Sequence, residues 1–366
     1  MRRLLVLMLC VAACAHPAPE RPVAGRADAG HVRRRVALFP PENLTGGAVP
    51  MKEFRAALEA SLVARGLDLA PGDAVDRFLA AHRIRWTGGM DGPTAAAAAT
   101  ELGVEGVLFA SVELYDLYRP AIGLTMRLTL ARPDAPIAWI DSDARMGDQS
   151  PGVLGLGIVH DLGTLRARTL THLAGSLDAF LRGEGPRAPR CPDGGRFDPK
   201  ITYRSPRLGA GEGHTVAVLP FVNRTGNRSA AESLALGFVR QLVAVDGLRP
   251  IEPGVVRDLL LRFRFILNDG VALDQARELL GALDADLVIA GDVFEYDNAP
   301  RVNFNVMMLD SRNGDVVWAA TSFNQGDDGV FFFDAGKVIS PQDLACRMTR
   351  NAVDGMAAKA MAGRRH

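Results

Sequence analysis

The chain has 366 residues, with 42 basic and 42 acidic side chains, so its formal net charge at pH 7 is zero. A neutral chain produces no extended positive field, which argues against functions that depend on holding a nucleic acid or an anionic surface. The length is enough for two domains of about 150 residues, each able to bury its own core.

The first residues are typical of a bacterial signal peptide. Met1-Arg2-Arg3 precedes the apolar run 4–11, which is far shorter than the roughly 20 residues needed to span a bilayer. Segment 11–14, Val-Ala-Ala-Cys, resembles the lipobox of bacterial lipoproteins, in which the cysteine becomes the lipidated amino terminus. We therefore expect residues 1–14 to be a signal peptide with its lipobox, and Cys14 to be the lipidation site. The alternative is an ordinary secreted protein that is cut before Cys14 and keeps a free thiol there.

Residues 15–34 predict a disordered tether, because they are rich in Pro, Ala, Gly and charge and show no apolar periodicity. At about 3.3–3.6 Å per residue, the tether reaches at most about 70 Å, so the protein should stay near its membrane. In the enterobacterial lipoproteins that this leader resembles, a residue such as Ala15 after the cysteine goes with release to the outer membrane. We expect a lipid-anchored protein of the outer membrane that faces the periplasm.

Two parts of the chain repeat one pattern at an offset near 180 residues. Segment 35–46 (RVALFPPENLTG) aligns with 215–226 (TVAVLPFVNRTG), and each predicts a short strand, a proline and an Asn-x-Thr-Gly turn. Apolar residues spaced by four then form one helical stripe in each part: Phe54, Leu58 and Leu62, and Leu234, Phe238 and Leu242. Later matches at offsets of 178 to 182 favour an internal duplication over chance.

Local signals place the ends of several elements. Pro50 suits the start of the first helix, and Ser229 followed by Glu232 predicts a capping box at its counterpart. Three extended runs follow in each part, at 105–115, 122–131 and 136–144, and at 286–296, 302–309 and 316–323. Asn313-Gly314 predicts a two-residue type I′ turn, so the runs should form an antiparallel meander.

The order of elements predicts the fold class. A closing helix, at 162–181 and at 341–361, follows each meander. The order strand, helix, strand, helix, helix, three-stranded meander, helix predicts an α/β (α+β) fold, in which a mixed sheet carries helices mainly on one face. We expect a first domain at 35–182, a linker rich in Gly, Pro and Arg at 183–213, and a second domain at 214–362.

Beyond Cys14 the mature chain has two cysteines, Cys191 in the predicted linker and Cys346 in the last predicted helix. In an oxidising envelope compartment, two cysteines can form one disulfide. The sequence does not establish that these two are close, so unpaired thiols remain the alternative.

The lipobox, segment 216–226 (VAVLPFVNRTG), the helices and the meander together resemble a known group of envelope proteins. They are similar to the amino-terminal domain of TolB and to related domains in CsgG, the curli secretion lipoprotein, and in LpoB, an activator of penicillin-binding proteins. The second copy matches well and the first weakly, since Pro41 occupies the position of Phe221. The resemblance implies tandem noncatalytic domains that bind other proteins or assemble into rings.

Sequence patterns of catalysis or metal binding are missing. The seven histidines form no His-Glu-x-x-His motif, and neither a Gly-x-Ser-x-Gly motif nor a Walker lysine loop is present. The glycine-rich segment 209–213 precedes a strand instead of opening a helix, which indicates a linker and not a phosphate loop. We expect no enzyme activity, no cofactor and no metal.

Two apolar, glycine-broken segments, 146–160 and 325–340, are the first candidates for a partner-binding surface. Because three consecutive phenylalanines cannot all face inward from one strand, some aromatic surface must find cover elsewhere. A loop folded back as a plug, a protein or self-association surface, and lipid insertion are the alternatives. The residues concerned are Leu154, Leu156, Val330, Phe331, Phe332 and Phe333.

The loop formed by Asn223, Thr225 and Gly226 is the second candidate surface, with a turn closed by its own side chains as the alternative. We therefore expect a noncatalytic outer-membrane lipoprotein that binds or scaffolds envelope proteins through its tandem domains. The alternative is a ring-forming component of a secretion or export channel resembling CsgG, in which the chain forms a homo-oligomer.

Overall fold

The computed structural model describes residues 35–150, 156–193, 195–208, 213–265, 270–297, 299–330 and 336–362. All of them belong to one compact unit, Arg33–His366. The predicted signal peptide, Cys14 and the predicted tether lie outside the described residues.

The first half of this unit, residues 35–182, forms one sheet with helices packed on it. Its opening region contains β1 (Arg35–Leu38), β2 (Glu42–Asn43), α1 (Met51–Val63), β3 (Asp68–Leu69), α2 (Gly72–Ala81) and α3 (Gly92–Glu101). The meander and closing helix follow as β4 (Gly106–Asp116), β5 (Ala121–Leu130), β6 (Ile137–Met146) and α4 (Leu162–Leu181).

The second half, residues 214–362, repeats this order after a strand in the intervening segment, β7 (Ile201–Arg204). Its opening region contains β8 (His214–Val218), β9 (Val222–Asn223), α5 (Ala230–Val243), β10 (Leu248–Pro250), α6 (Pro253–Arg262) and α7 (Leu273–Leu279). Its meander and closing helix are β11 (Leu287–Asp297), β12 (Arg301–Asp310), β13 (Val316–Gln325) and α8 (Pro341–Ala362).

The two sheets have the same topology. The strand order is β3-β1-β4-β5-β6 in the first, with β2 paired to β4, and β10-β8-β11-β12-β13-β7 in the second, with β9 paired to β11. In each sheet the short opening strands are parallel to their neighbours, and the three long strands form an antiparallel meander. The predicted mixed-sheet α+β fold is confirmed, and β7 adds an antiparallel edge strand from the segment predicted as a linker.

Each sheet buries both of its faces near the opening strands. In β1, Val36 and Leu38 pack with α1 and α4, while Ala37 and Phe39 pack with α2 and α3. The second half repeats this division, with α5 and α8 on one face and α6 and α7 on the other. The helices therefore divide two and two, where the sequence favoured one face, because β1 and β8 are apolar at consecutive positions and not only at alternate ones.

The halves also share apolar contacts. Ile137 and Ile140 of β6 belong to the core cluster that β8, α5 and α8 build in the second half. Ala188 and Phe197, from the segment between the halves, belong to the same cluster. The bounds 35–182, 183–213 and 214–362 as separate domains stay a prediction.

Two local predictions were wrong. The Ser229 side chain makes no capping hydrogen bond, and Glu232 is instead drawn into the contact between the halves. The β12–β13 hairpin is present, but only Gly314 of the pair Asn313-Gly314 has a positive φ, of 71°. A type I′ turn would need a positive φ at both Asn313 and Gly314. The hairpin instead has a longer loop, which Asp310 N closes by donating to Asp315 O at 2.9 Å.

Candidate functional site

Strand β12 shows which face of the second sheet is covered and which is open. Its burial alternates, with Val302, Phe304 and Val306 buried and the residues between them partly exposed. Cross-strand partners share a face, so the register gathers one set of side chains on the side opposite α5 and α8. We call this set the open face: Ile201, Tyr203, Asn303, Asn305, Met307, Ala319, Thr321 and Phe323.

Three large side chains on the open face are exposed. The exposed fractions are 66% for Ile201, 50% for Tyr203 and 54% for Phe323. The Lys200 ammonium group lies 5.4 Å from the centroid of the Phe323 ring, a cation–π contact at the margin of the face. Neighbouring exposed apolar side chains of this size, bordered by polar groups, are typical of interaction sites.

The equivalent face of the first sheet is covered by the second half. Strand β5 is buried along both faces, and its Arg127 corresponds in register to Met307 of β12. On β6, Ile140 joins the core of the second half, and Ser142 Oγ accepts a hydrogen bond at 2.7 Å from Arg240 Nη1 on α5. The same face of the repeat is thus packed in one half and open, among the described residues, in the other.

A buried ion pair joins the halves at one end of this junction. Arg127 Nη2 and Nε donate to Glu252 Oε1 and Oε2 at 2.8 and 3.0 Å, and Thr129 Oγ1 donates to Oε2 at 2.9 Å. The two charged side chains are 2% and 0% exposed. Glu252 precedes the first residue of α6, where the helix dipole favours a negative charge. Bidentate charge-assisted pairs of this kind are among the strongest hydrogen-bonded contacts.

A second buried ion pair joins β6 to α5. Arg240 Nη2 donates to Asp141 Oδ1 at 2.7 Å and to the Pro189 carbonyl oxygen at 2.8 Å. Beside this pair, Cys191 and Cys346 form a disulfide with their Cα atoms 5.7 Å apart. The disulfide therefore ties the segment between the halves to α8 at the junction.

Carboxyl groups are concentrated in the junction. Burial raises the pKa of Glu113 to about 7, although the Thr125 hydroxyl donates to its Oε1 at 2.6 Å. Burial and the nearby charge of Glu42 raise the pKa of Glu232 to about 7. Burial also raises the pKa of Glu42, whose Oε1 accepts a hydrogen bond at 2.7 Å from Trp86 Nε1. These groups hold protons at pH values where exposed carboxyl groups are ionised.

A cleft of about 360 Å³ lies between the halves. Polar groups of both halves line it, including Glu113, Asp141 and Ser142 from the first and Arg240, Tyr296 and Gln342 from the second. Glu113 lies at a β-bulge, where the register of β4 against β5 shifts. A bulge bends its strand and redirects a side chain, and here that side chain lines the cleft.

The structure places only some of the predicted partner-binding residues. Leu154 and the three residues Phe331, Phe332 and Phe333 lie outside the described residues. Leu156 is 86% exposed, and Val330 is partly buried.

The two segments that contain these residues are closed in the same way. Val159 N donates to Gly147 O at 2.9 Å, and Val338 N donates to Gly326 O at 2.8 Å. A role for these segments in partner binding stays a prediction.

The loop predicted as a second surface uses its polar groups internally. Thr225 N and Oγ1 donate to Asn223 Oδ1 at 3.0 and 2.8 Å, and Asn223 Nδ2 donates to Asn227 O at 2.8 Å. Asn43 and Thr45 make the same contacts in the first half. Gly226 lies within this turn, so the geometry accounts for the repeated Asn-x-Thr-Gly pattern without a ligand.

The four residues of the buried ion pairs were not found from the sequence. A signal was present, because Arg127 interrupts the apolar run 121–130 and Asp141 follows the apolar run 137–140. A charge in a buried strand needs a partner. The sequence does not reveal that the partners, Glu252 and Arg240, come from the other half of the chain.

In the part of the chain that the structure describes, no group of three or more His, Cys, Asp or Glu side chains could hold a metal ion. None of the helices built by the described residues has the length and apolar composition to cross a membrane.

Comparison with known proteins gives similar solved structures only. No family profile and no curated protein match this sequence. The PelC dodecamer from Paraburkholderia phytofirmans is 21% identical over 40% of this chain and 95% of its own, with a TM-score of 0.26. Lipoprotein GNA1162 from Neisseria meningitidis is 19% identical over 39% of this chain and 99% of its own, with a TM-score of 0.28.

The LpoB C-terminal domain from Escherichia coli is 20% identical over 32% of this chain and 87% of its own, with a TM-score of 0.26. Each of these three structures matches less than half of this chain, and one of the three is named as a lipoprotein. The predicted resemblance to tandem domains of the TolB and CsgG type stays a prediction.

Proposed function

We propose that this chain is a noncatalytic, lipid-anchored protein of the bacterial outer membrane that binds another envelope protein through the open face of its second half. The observation that supports this proposal most directly is the contrast between the two sheets. In the first half the face is packed against protein, whereas in the second half Ile201, Tyr203 and Phe323 are exposed on it. Anchoring at Cys14 rests on the lipobox resemblance.

The chemistry of the open face indicates the kind of partner. Its aromatic side chains are Phe323 and Tyr203. The same register places the charged residues Asp292, Glu295 and Arg301 on this side of the sheet. Aromatic residues dominate the energetics of protein interfaces, and asparagine and threonine side chains supply hydrogen bonds around them. The partner should therefore present an apolar patch bordered by polar or charged groups.

Site-specific crosslinking in cells tests this proposal. A photoreactive residue at position 323 should give one discrete adduct heavier than the 39.2 kDa chain. The adduct should disappear when Tyr203→Asp is added. Position 261 is the matched control, because Leu261 is also exposed, at 52%, and its helix α6 packs on β8, three strands from β13. No adduct at 323, or the same adduct from both positions, would overturn the proposal.

A second candidate is a ring-forming component of an export channel, in which the partner is another copy of this chain. One observation favours it: the contact between the halves joins a sheet face of the first to the helix α5 of the second. The equivalent helix in the first half, α1, leaves Glu53, Ala56 and Ala60 exposed. The chain therefore presents both an open sheet face, in the second half, and an exposed helix of the matching type, in the first. Head-to-tail contacts of this type close into rings. Light scattering showing a multiple of the chain mass, together with an adduct of twice that mass at position 323, would favour this candidate.

A further inference from the structure

The cleft between the halves contains one carboxylate that forms no ion pair among the described residues. Three other carboxylates line the same cleft, and each has an arginine within 3.3 Å: Asp141 with Arg240, Asp143 with Arg145, and Asp343 with Arg347. Glu113 has the Thr125 hydroxyl as its hydrogen-bond partner, at 2.6 Å, and forms no ion pair in this part of the structure.

Tyr296 lies near this carboxyl group. Tyr296 lines the cleft and is 4% exposed, and no hydrogen bond to its hydroxyl is formed by the described residues. Its pKa is raised well above the ordinary value by burial and by the nearby Glu113 charge. A buried tyrosine hydroxyl usually has a hydrogen-bond partner. A carboxylate acceptor and a hydroxyl without a hydrogen-bond partner among the described residues thus lie near each other in the cleft.

The fold itself does not require an acidic group at this position. The second sheet has a β-bulge at the equivalent place, between Val293 and Glu295, and the residue there is Phe294. Glu113 is partly buried, and a carboxyl group removed from water without an ion pair costs free energy unless something compensates for it. Because the repeat can be built with an apolar residue, the carboxyl of Glu113 calls for an explanation other than folding.

We propose that the cleft binds a small primary amine, whose ammonium group pairs with the Glu113 carboxylate and donates a hydrogen bond to the Tyr296 hydroxyl oxygen. The cleft volume of about 360 Å³ lies at the lower end of the range for small-molecule sites. A carboxylate beside hydroxyl acceptors suits an ammonium donor. The absence of a three-residue metal group in the described chain favours an organic cation over a metal ion.

Proton exchange gives the site a defined pH dependence. The ammonium group pairs with ionised Glu113, whose pKa burial raises to about 7. Arg240 and Glu232 on α5 and Tyr296 on β11 are the charged and titratable groups that face it. Affinity should therefore fall about tenfold between pH 8 and pH 6, because most of the carboxyl groups are protonated at the lower pH.

Calorimetric titration of the full chain in nonionic detergent tests the proposal. The probes are 1,4-diaminobutane, its neutral counterpart 1,4-butanediol, and Nα-acetyl-lysine amide as a mimic of a protein side chain. Glu113→Gln should weaken diamine binding at least tenfold, and Tyr296→Phe should weaken it severalfold. The exposed Glu53 provides the matched control, since Glu53→Gln removes the same charge elsewhere and should leave binding unchanged.

Each outcome decides the question. Binding of the diamine but not the diol, lost in Glu113→Gln while the far-ultraviolet circular dichroism stays native, supports the site. Equal diamine binding by the natural chain and by Glu113→Gln, or no binding at millimolar diamine, overturns it. Tighter binding of the lysine mimic than of the diamine would also overturn it, because the ligand would then be a protein side chain.

Discussion

Breaking the buried pair between Arg127 and Glu252 should remove a large part of the free energy of unfolding. In Glu252→Ala, the Arg127 guanidinium, which is 2% exposed in the natural chain, loses two hydrogen bonds of 2.8 and 3.0 Å and keeps the one to Gly88 O at 2.7 Å. Removing one partner of a buried pair typically costs about 3–5 kcal/mol. A protein of this kind has about 5–15 kcal/mol in total, so the effect should be large and measurable.

The repeat itself supplies the residues for a double-mutant cycle. Met307 occupies the position of Arg127, and Ala70 the position of Glu252, so Arg127→Met and Glu252→Ala place residues that the same fold already accepts. The double variant removes both charges of this pair, and its cost should be clearly smaller than the sum of the two single costs. We expect a coupling free energy of at least about 2 kcal/mol.

Urea denaturation of the compact unit from Arg33 onward, followed by circular dichroism, measures these differences. The exposed pair Arg301–Asp297 is the control, because its side chains are 49% and 43% exposed. Asp297→Ala should cost less than about 1 kcal/mol. Additive costs in the cycle, or a cost of Glu252→Ala no larger than that of the control, would refute the reasoning.

Two further predictions concern the same junction. Replacing Cys191 and Cys346 with serine should lower the free energy of unfolding by up to about 5 kcal/mol, since the disulfide closes a loop with a sequence separation of 155 residues; an unchanged urea midpoint after reduction would contradict this. Glu113→Gln should be more stable than the natural chain at pH 8 by about 2–3 kcal/mol. The pKa of Glu113 is raised from 4.5 to about 7, so the natural chain loses stability as the pH rises from 4.5 through 7 and this carboxyl group ionises. The difference should shrink below pH 5, and a gap that is constant across denaturation curves from pH 5 to pH 8 would count against the buried carboxyl.

Much of the fold could be predicted because its signals are local. The apolar stripe of Phe54, Leu58 and Leu62 marks α1, and all three residues are fully buried. The predicted closing helix 162–181 coincides with α4, whose first residue follows a capping aspartate, Asp161. The wrong predictions were also local. Glu232 left its expected capping role because the other half of the chain provides it with charged neighbours.

The candidate site could not be predicted because it depends on contacts between distant parts of the chain. Arg127 and Glu252 are 125 residues apart in the sequence, and no sequence pattern near either residue indicates that the other is its partner. Burial on both faces of β5 likewise results from docking of the second half, whereas its sequence shows only a strand with an unexplained charge. The open face also depends on the register of three strands and on what covers them, which the sequence of a single strand does not show.

Under the proposed function, the difference between the packed and the open face follows from how each meets its partner. The two halves are joined by one chain, so the effective concentration of one near the other is high. The contact can therefore include Arg127, Asp141 and Ser142, whose burial adds little net stability because their desolvation offsets most of the gain from pairing. A face that must capture a separate molecule has no such advantage and depends on a few aromatic and apolar anchors. At equivalent positions the repeat has Ser142 and Ala144 on the packed face, and Thr321 and Phe323 on the open one. The aromatic residue lies on the face that has no partner within the described chain, which is where intermolecular binding requires it.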